Sequence, residues 1–227
     1  GIYAAKIKSS NLDKAFADLK TEGVNLLGEI STDPAGTKHF YVTDPYHNVF
    51  EFVEESNIYK KHNGHNGVNG GVYGAVIGVT DFDKAKTLYC DILEYDEVVY
   101  DVEGSFDDLK VLPGGDGVFR RVLLRHSAVR RGPFSKLLGP TKIELITSRS
   151  HEPRSIFAHR IWGDLGFIHL CFDVQGMAHL KKECAEHGYT FTVDSANSFD
   201  MGVAAGHFAY IEDPDGTLIE MIEVYKI

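Results

Sequence analysis

Glu220, whose carboxylate could bind a metal ion or transfer a proton, lies inside an apolar run near the end of the chain. Residues two apart in a β-strand point to the same face, so Glu220 would share a face with Leu218 and Ile222. An unpaired buried charge costs several kcal/mol, and this carboxylate therefore needs a partner. A metal ion or an arginine would meet that need.

The same arrangement of turn, apolar run and inner glutamate occurs more than once. An Asp-Pro-Asp-Gly turn at residues 213–216 precedes Glu220, and an Asp-Pro turn at residues 44–45 precedes Glu51. Both segments read as β-hairpins, because Asp, Pro and Gly favour tight turns between apolar runs. Such self-similarity indicates repeated units, each with a strand, a helix and a three-strand meander.

Local signals divide the chain into three such units. In residues 1–57, Asn11 is a good N-cap for a helix that Gly23 ends, and Asp81 has the same capping role in residues 72–150. Residues 166–227 repeat the order once more. Residues 58–71 are rich in Gly and Asn and predict a solvated linker, although its two histidines, His62 and His65, could form a metal-binding tract.

Composition restricts the class of protein. The 227 residues are 43% hydrophobic and 25% charged, with a formal net charge of −10. This acidic balance argues against general nucleic-acid binding, which requires basic surface. No apolar run is long enough to span a membrane, and the N-terminus lacks a signal-peptide pattern. The odd number of cysteines (Cys90, Cys171 and Cys184) favours reduced thiols and a cytoplasmic location.

Four segments, taken jointly, resemble the vicinal oxygen chelate superfamily, which includes glyoxalases, bleomycin-resistance proteins and extradiol dioxygenases. They are residues 79–89, 142–146, 166–174 and 212–220. The resemblance implies an α+β fold of tandem βαβββ modules, in which paired modules curl into a cavity-forming sheet.

By this resemblance, residues 72–227 form a complete domain, with modules 72–150 and 166–227. Residues 1–57 are then an orphan module, the second half of a preceding domain. Its partner module either precedes it in a longer chain or comes from another chain of a homodimer.

The superfamily holds a divalent metal ion on the first and last strands of each module. Carried over by position, the last-strand places fall on Glu144 and Glu220, and one first-strand place falls on His169. The other falls on Gly74, where the family usually has His or Gln. Carboxylates and an imidazole suit an ion such as Zn, Ni, Co, Mn, Fe or Mg. The alternating apolar positions on either side of His169 also direct it away from the helices and towards the cavity.

The resemblance implies a metal-dependent lyase, isomerase or epimerase that acts on a small oxygenated substrate by stabilising an enediolate-type oxyanion. Glu144 or Glu220 would move the proton. One alternative is a metal-free, drug-sequestering protein. A second is an extradiol-type dioxygenase, which would require His126 or His207 to replace the histidine missing at Gly74.

A basic segment at residues 119–136 is the remaining candidate site. Arg121 and Arg125 could bind an anionic substrate group through paired hydrogen bonds, with His126 and His207 as further substrate-binding candidates. Alternatively, these arginines pair with acidic residues elsewhere, including the inner glutamates. The expected partners are a small-molecule substrate and a second copy of the chain, with no nucleic acid or membrane.

Overall fold

The computed structural model describes residues 1–59, 67–132, 134–195, 199–200, 202–203 and 205–226. The first unit consists of β1 (Ile2–Ser9), α1 (Leu12–Thr21), β2 (Asn25–Thr32), β3 (Lys38–Thr43) and β4 (Val49–Glu54). Asn11 caps α1, since its side chain accepts a 3.0 Å hydrogen bond from the Lys14 amide. The predicted order of elements is confirmed.

The second unit repeats this order with one additional short helix. It consists of β5 (Asn69–Gly78), α2 (Phe82–Lys86), β6 (Glu97–Gly104), β7 (Phe119–Arg125), α3 (Ser135–Leu138) and β8 (Lys142–Ser148). The Asp81 side chain caps α2, as predicted, and a π-helical turn at Thr87–Ile92 extends that helix.

The third unit comprises β9 (His169–Asp173), α4 (Met177–Glu186), β10 (Val193–Asp194), β11 (Phe199–Asp200), β12 (Ala205–Glu212) and β13 (Leu218–Lys226). The predicted hairpin is present: Asp213 accepts hydrogen bonds from the amides of Asp215 and Thr217 at 2.9 and 2.7 Å, and β12 pairs antiparallel with β13.

The units do not pair as the sequence suggested. An eight-stranded sheet has the order β2-β3-β4-β1-β5-β8-β7-β6 and therefore joins the first unit to the second, through antiparallel β1 and β5. The third unit forms a separate sheet of β10, β12, β13 and β9, with β11 beside β12. The prediction of one curled sheet from residues 72–150 and 166–227 is thus corrected, and residues 1–57 are not an orphan module.

The second and third units share a hydrophobic core instead. Their helices and the covered faces of their sheets pack together, with Leu88 and Ile92 from the second unit and Met177 and Ile219 from the third. Leu170 and Phe172 pack against the same core, as their alternation in β9 predicted. The apolar faces therefore join these two units through their helix layers and leave the opposite sheet faces for other contacts.

Two further sequence predictions concern compartment and linker. Among the described residues, no helix is long and apolar enough to cross a membrane. Cys90, Cys171 and Cys184 are free thiols. His62 and His65 lie outside the described residues.

The α+β fold class, with mostly strands and a curled sheet, is confirmed.

Candidate functional site

A cavity of about 710 Å³ lies on the open face of the eight-stranded sheet, where the first and second units meet. Most of its lining is apolar, and the polar side chain of Glu144 reaches it from β8. Residues 151–154 and Ile156, from the segment after β8, also line it. The apolar side chains of the lining include Ile2, Val76, Leu109, Leu112, Phe119 and Ile146.

Buried charged side chains form a network next to this cavity, and we call it the floor cluster. Its members come from β1, β3, β4, β7, β8 and the loop after β6. They are Lys6, His39, Glu51, Asp108, Arg121 and Glu144.

Glu144 is the cluster member that lines the cavity, and two cations hold its carboxylate. Lys6 Nζ donates to Glu144 Oε2 at 2.5 Å, and Arg121 Nε donates to Oε1 at 2.7 Å. Burial alone would raise the pKa of Glu144, but the charges of Lys6 and Arg121 hold that pKa far below its usual range. Glu144 is therefore a fixed anion at neutral pH.

The other carboxylates of the floor cluster are paired in the same way. Lys6 Nζ lies 2.9 Å from Glu51 Oε2, His39 Nδ1 lies 2.9 Å from Glu51 Oε1, and Arg121 Nη1 donates to Asp108 at 2.6 Å. Burial would lower the pKa of His39, but its bonds with Asp108 and Glu51 outweigh that effect and raise the pKa to about 9. Three cations thus balance three carboxylates at neutral pH.

Strand register explains why these side chains meet. Lys6 on β1 lies beside Glu51 on β4 and opposite Gly74 on β5. A Cβ atom at Gly74 would lie 1.6 Å from the carbonyl oxygen of Lys142, so this position cannot carry a side chain. Gly74, the position that lacks the family's usual ligand, therefore adds no side chain to the surroundings of Lys6.

The predicted three-ligand metal site is not formed. Among the described residues, no group of three or more His, Cys, Asp or Glu side chains is placed to hold a metal ion. Glu144 belongs to the floor cluster, where two cations occupy its oxygens, whereas His169 and Glu220 lie on the separate sheet of the third unit. The residues at Glu144 do not fit a resident metal ion.

His169 and Glu220 lie together on the neighbouring strands β9 and β13. His169 Nε2 is 2.9 Å from Glu220 Oε2, and the imidazole stacks on Trp162 with ring centroids 5.5 Å apart. Tyr210 packs edge-on against both rings. The pair supplies an imidazole and a carboxylate on the face of the third unit away from the shared core.

The four residues predicted to bind substrate are not gathered at the cavity. Arg121 is 0% exposed inside the floor cluster, and Arg125 is paired with Glu97 at the surface. His126 Nδ1 lies 2.7 Å from the carbonyl oxygen of Glu94, and His207 Nε2 lies 2.6 Å from Asp194. The alternative, that the arginines of this segment pair with acidic residues including Glu144, agrees with these contacts.

Sequence reasoning missed Lys6, His39 and Asp108 as members of the site. The sequence did carry a signal for Lys6, because residues 2, 4 and 6 lie on the same face of a strand and Ile2 and Ala4 are apolar and buried. A lysine on an apolar strand face needs an anionic partner as much as an inner glutamate needs a cation. Asp108 lies in a loop, where periodicity carries no information.

Comparison with known protein families identifies the family of this chain. The sequence model of the glyoxalase/bleomycin resistance protein/dioxygenase superfamily matches residues 73–221, more than half of the chain. No curated relative is found by sequence comparison.

Solved structures share the fold at low sequence identity. A dioxygenase candidate from Bacillus subtilis is 15% identical with a TM-score of 0.59; the match covers 98% of this chain and 61% of that protein. Glyoxalase I from Zea mays is 13% identical with a TM-score of 0.58, and the match covers 98% of this chain and 67% of that enzyme. The chain thus spans about three fifths of the length of the Bacillus subtilis protein. Together with the family match, these findings show that the chain belongs to the glyoxalase/bleomycin resistance protein/dioxygenase superfamily.

Proposed function

We propose that this protein binds a small, largely apolar molecule in the cavity between its first two units. The observation that carries the proposal is the cavity itself, since a volume of about 710 Å³ with mostly apolar lining suits one small organic molecule. Glu144 and Tyr41 also line the cavity but are at most 2% exposed, so the exposed polar side chains of the lining, His151, Glu152 and Arg154, are the ones that can reach a polar end of the ligand.

The state of Glu144 favours binding over proton transfer at this site. A general base needs a pKa near the working pH. Lys6 and Arg121 keep the pKa of Glu144 far below that range, because both stabilise the ionised carboxylate. A buried anion whose two oxygens are already paired with Lys6 and Arg121 is a weak proton acceptor. This supports the drug-sequestering kind of function over a lyase, isomerase or epimerase reaction at Glu144.

A larger side chain at Val76 should displace a ligand from the cavity. Val76 is buried and lines it, so Val76→Phe would occupy part of the volume. We expect the affinity for a neutral apolar fluorophore, N-phenyl-1-naphthylamine, to fall by about 10-fold, or about 1.4 kcal/mol. Fluorescence titration measures this.

The matched control is Val72→Phe, on the same strand. Val72 is 49% exposed and does not line the cavity, so the affinity should stay at the wild-type value. Circular dichroism would verify that both variants fold. Equal affinities of the two variants, or fluorescence that does not saturate for the wild type, would rule out binding in this cavity.

A second candidate function is favoured by the contact between His169 and Glu220. Imidazole and carboxylate are donors suited to a divalent ion, and such an ion supplies Lewis-acid stabilisation of an oxyanion. Two donors are too few by themselves. Within the described residues β9 has one sheet neighbour, β13, whereas the corresponding β1 and β5 pair with each other. A second copy of the chain pairing along β9 would bring two more donors, as a homodimeric lyase, isomerase or epimerase requires.

This candidate predicts that metal content and assembly change together. After dialysis against Zn²⁺ or Ni²⁺, elemental analysis should find bound metal in the wild type and in Glu144→Gln, but a loss of most of it in His169→Ala and Glu220→Gln. Light scattering should show that chelation of the metal shifts dimer towards monomer. Metal content unaffected by His169→Ala would eliminate the candidate. The dioxygenase alternative receives no support, because His126 and His207 have partners away from this pair.

A further inference from the structure

The ammonium group of Lys6 occupies an unusual position between two carboxylates from different units. Its Nζ lies 2.9 Å from Glu51 Oε2 in the first unit and 2.5 Å from Glu144 Oε2 in the second. Lys6, Glu51 and Glu144 are each at most 2% exposed. Carboxylate oxygens that converge from two sides on one buried cation are the usual surroundings of a divalent ion, which binds oxygen at about 2.0–2.6 Å.

We infer that the Lys6 ammonium is a built-in cation that takes the place of a divalent metal ion at the cavity floor, and that removal of this ammonium would open a metal site there. This inference concerns the floor cluster alone and holds whichever molecule the cavity accepts.

The remaining contacts of the two glutamates keep them in position without Lys6. The second oxygen of Glu51 lies 2.9 Å from His39 Nδ1, and the second oxygen of Glu144 accepts a 2.7 Å hydrogen bond from Arg121. Such outer contacts orient metal-binding carboxylates in proteins. The oxygens that face Lys6 would therefore still face a common point after the lysine side chain is shortened.

Charge balance gives the reason for an ion to enter. In the wild type the floor cluster pairs Lys6, Arg121 and protonated His39 with three carboxylates. Shortening Lys6 leaves one buried negative charge without compensation, which is strongly unfavourable. A divalent ion that binds the folded state alone restores the balance and stabilises that state in proportion to its concentration. The mostly oxygen donors favour Mn²⁺ as the probe.

The test compares full-length wild type, Lys6→Ala and Lys6→Ala/Glu144→Gln in the presence and absence of Mn²⁺. We expect stoichiometric Mn²⁺ in Lys6→Ala by elemental analysis. We also expect a rise of roughly 5 °C or more in its melting temperature at 100 times the dissociation constant. The wild type and the double variant should show neither change at the floor cluster, and any Mn²⁺ held by His169 and Glu220 would be present equally in all three proteins.

Lys8→Ala is the matched control for loss of a buried lysine. Lys8 is on the same strand and is 0% exposed, but its Nζ donates to the carbonyl oxygen of Leu138 at 2.7 Å and pairs with no carboxylate of the floor cluster. Lys8→Ala should lose stability without gaining a response to Mn²⁺.

Two results would overturn the inference. One is a folded Lys6→Ala that neither retains Mn²⁺ nor melts at a higher temperature with it. The other is a wild type whose melting temperature rises with Mn²⁺ and loses that rise in Glu144→Gln. If Lys6→Ala folds only when Mn²⁺ is present, the inference is supported. A variant that does not fold even with Mn²⁺ would likewise count against the inference, because the ion should replace the lost charge.

Discussion

Replacing Arg121 by methionine should lower the free energy of unfolding by roughly 3–5 kcal/mol. Arg121 is 0% exposed and donates to Glu144 at 2.7 Å and to Asp108 at 2.6 Å. Methionine fills a similar volume but leaves both buried carboxylates short of a cation. The loss should come from this uncompensated charge, and urea unfolding followed by circular dichroism measures it.

Arg120→Met is the matched control, one residue away on the same strand. Arg120 pairs with Asp101 at 2.7 Å, but both side chains are partly exposed, so its loss should cost about 1 kcal/mol or less. Adding Glu144→Gln to Arg121→Met removes the unpaired charge and should recover part of the stability, which a double-mutant cycle would detect. An Arg121→Met variant as stable as Arg120→Met would show that the floor cluster contributes little.

Local patterns were sufficient to predict most elements of each unit, although not α3 or the π-helical turn at Thr87–Ile92. Asn11 and Asp81 cap helices with their own side chains, and Asp213 closes its turn through nearby amides. These contacts span a few residues, so the sequence shows both partners at once. The same holds for the faces of β9 and β13, because alternation in a strand decides which side chains meet the core.

The pairing of units could not be read from such patterns. Each unit begins with a strand whose edge can accept another, and local sequence does not state which two edges meet. β1 and β5 join across a linker, whereas β9 belongs to another sheet. The choice depends on contacts between distant segments, such as Lys6 with Glu144, which are 138 residues apart. For that reason the partner of Glu144 was predicted in part, as an arginine, while Lys6 was missed.

Placing any side chain at position 74 should cost at least about 3 kcal/mol or prevent folding, because overlap in a packed sheet cannot relax. Gly74 is on β5, between β1 and β8 in the middle of the eight-stranded sheet. A Cβ atom there would lie 1.6 Å from the carbonyl oxygen and 2.8 Å from the carbonyl carbon of Lys142, its partner on β8. Separation of β5 from β8 would be needed to admit even alanine. Thermal and urea unfolding of Gly74→Ala measure the effect.

Gly78→Ala on the same strand separates this overlap from the general effect of replacing glycine. A Cβ atom at Gly78 would approach backbone atoms of Gly1 no closer than 3.6 Å, an ordinary contact. Alanine there should be neutral or stabilise by up to about 1 kcal/mol, since glycine loses more conformational freedom on folding. Wild-type stability in Gly74→Ala would contradict the sheet geometry at this position. If this overlap is real, Gly74→His cannot rebuild the family's metal site, because the backbone of β8 leaves no room for the histidine side chain at this position.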